Sequence, residues 1–492
     1  MTHDGPGAEQ AGHISTGHTS TGHTARGEDR WPLVAVAGVL AFVAMLDMNI
    51  VNVALADIAD GLGVSTAAAQ WAVLGYQLPV VALLLPVGRW LDGVALRSAV
   101  LAATCGFGVC SALAAAAPWM AWLIAARLLQ GAFGAVLFVL MPVLALRSVR
   151  PELRGRAMSV PATLGPLGAV IGPAVGGLLL DHLGWRSVFL VKIPFCVLAL
   201  VVVWRAMPGD GGLRAPDRRS VADALLVGTG TASVLLALTL APQGPAWLLL
   251  ALAAVPPLWR WLRGPGGRPV AGALRTAGLF RAHGAVLALA AGFAAMHYVV
   301  ALHFQRDDGV SATTTGLTVL AFPLGMAVAG PLGGRLADLH RARGPAGTGG
   351  TSIGARPVAV TGAALTAAGL LLLLPLGDGW TPLDVAWRLA LAGIGLGLNG
   401  GPTQALVMGA APPDRIATVG ATVQLARSLG FTLGPALATA AWGLTGPHAG
   451  ARAALALAAL AACLSVPLLA LPGTKPAALP ENAPDTASAA HD

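Results

Sequence analysis

Apolar runs of about 20 residues, recurring from Trp31 to near residue 472, decide what this chain can fold into. A run of that length crosses the roughly 30 Å hydrocarbon layer of a bilayer as an α-helix. Lipid offers no hydrogen-bond partners, so a crossing segment is either a helix or a strand of a closed barrel. Barrel strands would alternate apolar and polar residues over about ten positions, and these runs do not alternate. Composition agrees: 56% of the 492 residues are hydrophobic and 11% are charged, against about 25% charged in soluble domains. The expected fold class is an all-α membrane protein with the lipid bilayer as its solvent.

About fourteen spans are predicted, at 32–56, 69–91, 98–117, 119–146, 157–181, 185–206, 220–242, 245–262, 283–304, 313–336, 356–376, 384–411, 417–445 and 451–472. Pro256 and Pro257 interrupt the eighth. Disordered polar tails are expected at 1–30 and 473–492. The first holds a loose repeat with His13, His18 and His23, read as part of the tail rather than as a metal site. No apolar core follows a charged start there, so a cleavable signal peptide is not expected.

The formal charge of +8 raises the question of nucleic acid. The arginines, however, lie in short connections between spans, which is a topology signal. Arg89 and Arg97, then Arg147, Arg150, Arg154 and Arg156, then Arg205, Arg214, Arg218 and Arg219 fall in alternate loops on one side. The opposite loops hold few. This bias places both termini in the cytoplasm of a multi-pass cell-membrane protein, with no nucleic-acid partner. Cys105, Cys110, Cys196 and Cys463 lie in apolar stretches without C-x-x-C spacing. They read as buried structural thiols, with no metal site and no cofactor implied.

The two halves of the chain echo each other. Gly88-Arg-Trp-Leu-Asp92 follows the second span and Gly334-Arg-Leu-Ala-Asp338 the tenth. Leu-Gly-Ala-Val-Ile-Gly172-Pro173 returns as Leu-Gly-Phe-Thr-Leu-Gly434-Pro435. Matching loops fall on the same membrane side, so the halves are parallel repeats related by an axis along the membrane normal. The expected organisation is a six-helix bundle at 31–206, an inserted helix pair with its loops at 207–275, and a second six-helix bundle at 276–472.

Charged residues inside spans are the candidates for function. Asp47 sits about 22 Å along its helix, within the hydrocarbon zone. A carboxylate there is costly unless it faces a cavity or a partner, and it is read as proton-coupling or, alternatively, as a structural polar contact. Arg127 lies about 12 Å inward on the fourth span at comparable depth. It either drives the proton from Asp47 as the two approach or is a fixed arginine bonded to carbonyls. Lys192 and Arg427 are further intramembrane cations, either substrate-binding or structurally paired. Three cations facing one acid disfavour dicationic substrates. Asn49, Asn52, Tyr76, Gln77, Gln130, His297, Tyr298, Asn399, Gln404 and Gln424 are cavity candidates, each alone open to a plain helix–helix hydrogen bond. Asp92 and Asp338, beside arginines at span ends, either latch a gate or simply cap helices. Asp223, three residues after Ser220, fits a helix-start pattern.

Several classes are excluded. Gly395-Leu-Gly397-Leu-Asn-Gly400 matches a dinucleotide-binding pattern but lies inside a span. Lys192 precedes isoleucine and Lys475 precedes proline, so no ATP-binding loop is present. No catalytic motif of an enzyme is found.

Taken in order, the motifs resemble the major facilitator superfamily, specifically its fourteen-helix drug:proton antiporter branch, over about residues 32–472. Leu46-Asp47-Met48-Asn49-Ile50-Val51-Asn52 is similar to that branch's first-helix signature. Gly88, Asp92 and Arg97 match the family's loop motif, which this chain leaves at Gly93, Ala95 and Leu96. Arg127-Leu-Leu-Gln130-Gly131 is similar to its intramembrane arginine motif. Gly165-Pro166, Gly172-Pro173 and Gly176 are similar to a motif of antiporters, and Lys192 stands where asparagine is usual. The resemblance implies a monomeric secondary transporter exporting a drug-like or antibiotic-like small molecule in exchange for protons, with Gly165, Pro166, Gly172, Pro173 and Gly176 as a joint for rocking. A gradient-driven importer and a transport-inactive sensor or scaffold are the competing expectations.

Overall fold

The computed structural model describes residues 29–471, apart from 210, 214, 216–217, 241–244, 276–278, 305–309, 343–353, 377–379, 412–414 and 446–448. His13, His18, His23, the tail at 473–492 and all but the last two residues of the first tail therefore lie outside the described residues. Among the described residues there is no strand.

A helical segment occupies each predicted span. The principal helices are α1 (Trp31–Val53), α2 (Trp71–Leu91), α3 (Leu96–Ala115), α4 (Met120–Arg147), α5 (Arg154–Leu183), α6 (Ile193–Ala206) and α7 (Arg218–Leu240). They continue with α8 (Val255–Arg263), α9 (Leu279–Leu302), α10 (Ala312–Ala342), α11 (Ala355–Leu371), α12 (Pro382–Gly409), α13 (Ile416–Thr445) and α14 (Gly450–Ala470). Among the described residues, nine segments, at α1–α6, α9, within α10 and at α14, are long and apolar enough to cross a membrane. The helices α7, α12 and α13 also have the length of a span. The eighth span departs from a plain α-helix. Pro245–Ala254 winds as a 3₁₀ helix and then passes into α8 where Pro256 and Pro257 enter the first turn.

The sequence repeat reappears in the packing. Within the first half α1 lies on α5 and α6, α2 on α4, and α3 on α4 and α6; the corresponding helices α9, α10 and α11 make the same contacts with α13, α14 and α12. Between the halves, α5 packs on α10 and α12, and α13 packs on α2 and α4. Glycine permits the closest approaches. A Cβ at Gly168 of α5 would sit 2.2 Å from the Phe42 carbonyl oxygen of α1, and one at Gly393 of α12 would sit 2.0 Å from that of Phe322 in α10.

Outside both bundles, α7 rests on α2 and touches α13. Asp223 does not act as a helix-start residue here; its carboxylate pairs with Arg89 and ties α7 to α2. Large apolar side chains such as Val109, Leu198, Trp204 and Leu460 point outward uncovered, a surface that lipid satisfies. Cys110 and Cys196 are buried free thiols, but Cys105 is exposed.

Candidate functional site

The intramembrane charges meet inside the first half. Asp47 of α1 and Arg127 of α4 form a salt bridge at 2.8 Å, and Asp47 also pairs with Lys192, just before α6. All three are 0% exposed. The Arg127 guanidinium donates through Nε to the Ala72 carbonyl (2.7 Å) and through Nη1 to Gln130 Oε1 (2.8 Å), while Gln130 Nε2 reaches Asp47 at 3.4 Å. Aromatic faces close the cluster: the guanidinium carbon lies 4.5 Å from the Tyr76 ring centre, and Lys192 Nζ lies 5.1 Å from that of Phe189. Losing Asp47 would leave Arg127 and Lys192 buried without an anion, and an uncompensated buried charge costs about 3–5 kcal/mol.

A cavity of about 540 Å³ separates the bundles, lined by Met45, Asn49, Gln77, His297, Tyr298 and Phe431 among others. On α1, α2 and α9 these residues occupy the half of the helix farther from the arginine-rich end. Phe293 and Phe431 also wall an adjoining space of about 60 Å³ that reaches Asn399, Thr403, Gln404 and Arg427. Gln424 and Arg427 border a third, smaller space with Met45 and Gly165.

Several expected cavity residues are elsewhere. Asp47 does not line the central cavity, for a reason of helical phase. Met45, Met48 and Asn49 share one face of α1, whereas Asp47 is turned about 100° from Met48 and points into its own bundle. Tyr76, Gln130 and Lys192 likewise belong to the ion cluster. Asn52 lies on the exposed last turn of α1, donating to the Met48 carbonyl at 3.3 Å. Lys192 and Arg427, alike in sequence, differ in partner: Lys192 holds a carboxylate, whereas Arg427 donates only to Gln404 Oε1 at 3.2 Å among the described contacts.

The arginine-rich end is closed by two carboxylates that cross between the halves. Asp92, at the end of α2, accepts from Ala417 N (2.8 Å), Thr418 N (3.2 Å) and Thr418 Oγ1 (2.5 Å) in the first turn of α13. Asp338, within α10, accepts from Gly155 N and Arg156 N, both at 3.0 Å, in the first turn of α5. A helix N-terminus presents unpaired N–H groups and a partial positive charge, so each contact is favourable. Burial raises the Asp92 pKa above the ordinary carboxylate value, against the opposing hydrogen bonds from Thr418 and Ala417.

Glycine brings the backbones together here. A Cβ on Gly88 would lie 2.5 Å from that of Ala421, and one on Gly334 would lie 2.6 Å from Arg156 Cα. Arg97 donates to the Trp204 carbonyl (3.1 Å) within its own half.

The α5 glycines contact the neighbouring α1 rather than the other half. A Cβ on Gly176 would lie 2.9 Å from the Ile50 side chain, and one on Gly172 would lie 3.3 Å from the Leu46 carbonyl oxygen. Gly165 is looser, 3.7 Å from Met45. The helix runs unbroken through Pro166 and Pro173. Sequence reasoning missed Thr163, Ser159, Gly330 and Gly401, which make the close contacts of α5 with α10 and α12. It also missed Phe293 and Phe431. The repeat pointed to the inter-half seam, but nothing local marked these residues within it.

Two matched helical bundles around a cavity, with buried charges and a closed end, define a membrane transporter rather than an enzyme. Comparison with known families gives the class: a model of the Major Facilitator Superfamily matches residues 37–264 and 284–490, and the chain belongs to that superfamily. Among curated relatives, the "Probable actinorhodin transporter" of Streptomyces coelicolor is 28% identical over 439 residues, 85% of this chain and 74% of that protein. The "Multidrug resistance protein Stp" of Mycobacterium tuberculosis is 28% identical over 423 residues, 82% of this chain and 75% of that protein. Among solved structures, the human organic anion transporter MFSD10 superposes with a TM-score of 0.61 at 17% identity, covering 90% of this chain and 100% of that one. At that identity the likeness is one of fold alone.

Proposed function

We propose that this protein is a secondary transporter that exports a drug-like or antibiotic-like small molecule in exchange for protons by alternating access. The observation that carries the reading is the sealed Asp47–Arg127–Lys192 cluster beside a cavity formed between two repeats. With both bases charged, the cluster has one anion for two cations. Protonating Asp47 in place would leave both cations without their anion, so proton binding must accompany withdrawal of Arg127 or Lys192. Leaving a buried charge without its partner costs about 3–5 kcal/mol, enough to bias two conformations by a factor on the order of 100 or more. Proton occupancy at Asp47 thereby selects between conformations.

The bundles at 31–206 and 276–472 are the rocking bodies, and 207–275 is the inserted pair. By the arginine bias, the closed end is cytoplasmic, and this conformation faces outward. Asp92 and Asp338 are the inner latches, which release when the cavity opens to the cytoplasm. Export rather than import is supported by the relative named for multidrug resistance.

A susceptibility panel with and without the gene would select a substrate, whose movement is then followed in everted vesicles under an imposed pH gradient. With the lumen acid, the compound is expected to accumulate inside as protons leave. Movement in the direction of the protons would refute exchange.

A further inference from the structure

We infer that the transported molecule is an organic anion, and that Arg427 receives its carboxylate at the inner end of the central cavity. The inference rests on the transporter reading above and names the substrate class of the same cavity.

Arg427 stands about 17 Å from the start of α13, mid-membrane, and its guanidinium is paired with no carboxylate among the described residues. A cation at that depth calls for a partner or a watered cavity. Lys192, at similar depth, has found its partner in Asp47; among the described residues Arg427 has only the neutral amide of Gln404.

Two further side chains border the same spaces without hydrogen-bond partners: Thr403 Oγ1 and Gln424 Oε1. Thr403 is 2% and Gln424 5% exposed. Buried polar groups are rarely left unmade. The threonine hydroxyl can donate to an anionic oxygen, and the amide offers its oxygen or, turned over, its NH₂. A planar guanidinium suits a carboxylate, which it grips with two parallel N–H groups. Phe293 and Phe431, with ring centres 5.8 Å apart, stand between this polar end and the larger cavity. They fit an apolar or aromatic body attached to the anionic group.

The repeat isolates the feature. Arg427 lies seven residues before Gly434, and Gly165 lies seven before Gly172, so the first half has glycine where the second has arginine. Both residues border one small space.

The test is binding to the purified full-length protein, without a pH gradient, of naphthalene-1-acetate and of its neutral amide, read by tryptophan fluorescence. The carboxylate is expected to bind at least about ten-fold more tightly than the amide. Arg427→Gln should bring the two to within about two-fold, and Arg427→Lys should keep part of the preference. Should Arg427→Gln not be recovered folded, Thr403→Val, which removes the unpartnered hydroxyl placed to donate to the same carboxylate, should reduce the preference at least three-fold. Equal binding of carboxylate and amide to the unaltered protein, or a preference that survives Arg427→Gln or Thr403→Val, overturns the proposal. Because no gradient is applied, that failure is separate from any failure of proton-driven export.

Discussion

Replacing Asp92 with alanine should loosen the arginine-rich end by an amount that the geometry sets. The carboxylate accepts three hydrogen bonds from the first turn of α13, two from backbone N–H groups and one from the Thr418 hydroxyl. Ala417 and Thr418 are 2% and 4% exposed, so their donors have little recourse to water while the end is closed. Leaving a buried donor unmade costs about 1–3 kcal/mol. Loss of a charge from a helix N-terminus adds about 0.3–1 kcal/mol. Against this stands the desolvation of Asp92 itself, visible in its raised pKa. The net is about 2 kcal/mol, or about a 30-fold shift in the closed-to-open ratio.

Spin labels at the exposed positions Glu152 and Leu339, one in each half at this end, would report the ratio as a distance distribution in nanodiscs. A long-distance population should appear or grow in Asp92→Ala. If the distribution changes by less than three-fold, the cross-half contact does not hold the end shut, and the reasoning from helix N-termini fails.

Other outcomes follow from the same contacts. Because burial raises the Asp92 pKa in the closed form, that form binds a proton more readily than one with Asp92 in water. Asp92's contribution to closure is therefore fully present below the ordinary carboxylate value near 3.8 and declines as pH rises through the raised value. The same labels titrated with pH should show this drift, and Asp92→Asn should abolish it. Gly334→Ala puts a methyl group 2.6 Å from Arg156 Cα, where backbone must yield; overpacking costs about 1–3 kcal/mol and should shift the labelled pair toward the open form. Arg127→Ala leaves Asp47 paired with Lys192 and brings the cluster to charge balance. That variant should remain folded by size-exclusion chromatography yet lose pH-driven transport, and unchanged transport would reject its role.

What the sequence made legible was set by length and repetition. Helix positions could be read because each span must satisfy its own backbone in lipid, and the recurrence of Gly88–Asp92 at Gly334–Asp338 exposed the two-fold plan. Helical phase was not legible. Helix α1 is apolar on every side, so its pattern gave no hint that Asp47 faces its own bundle while Asn49 faces the cavity. Nor could Lys192 be told from Arg427, because their difference lies in a partner 145 residues away in one case and, among the described residues, in the lack of a carboxylate in the other. With 64 glycines in the chain, glycine alone could not mark Gly330 or Gly401 as contact points between the halves. Asp92 and Asp338 could be named from their motif, but the donors they meet, in the first turns of α13 and α5, emerge only when the halves are brought together.

The central claim is tested most directly by Asp47→Asn, which keeps the side chain's shape and removes the charge that takes up the proton. In everted vesicles carrying a compound selected by the susceptibility panel, the unaltered protein should accumulate it when the lumen is acid. The D47N variant should show no accumulation above vesicles lacking the transporter. Accumulation at the unaltered rate and with the same dependence on the pH gradient would contradict the account.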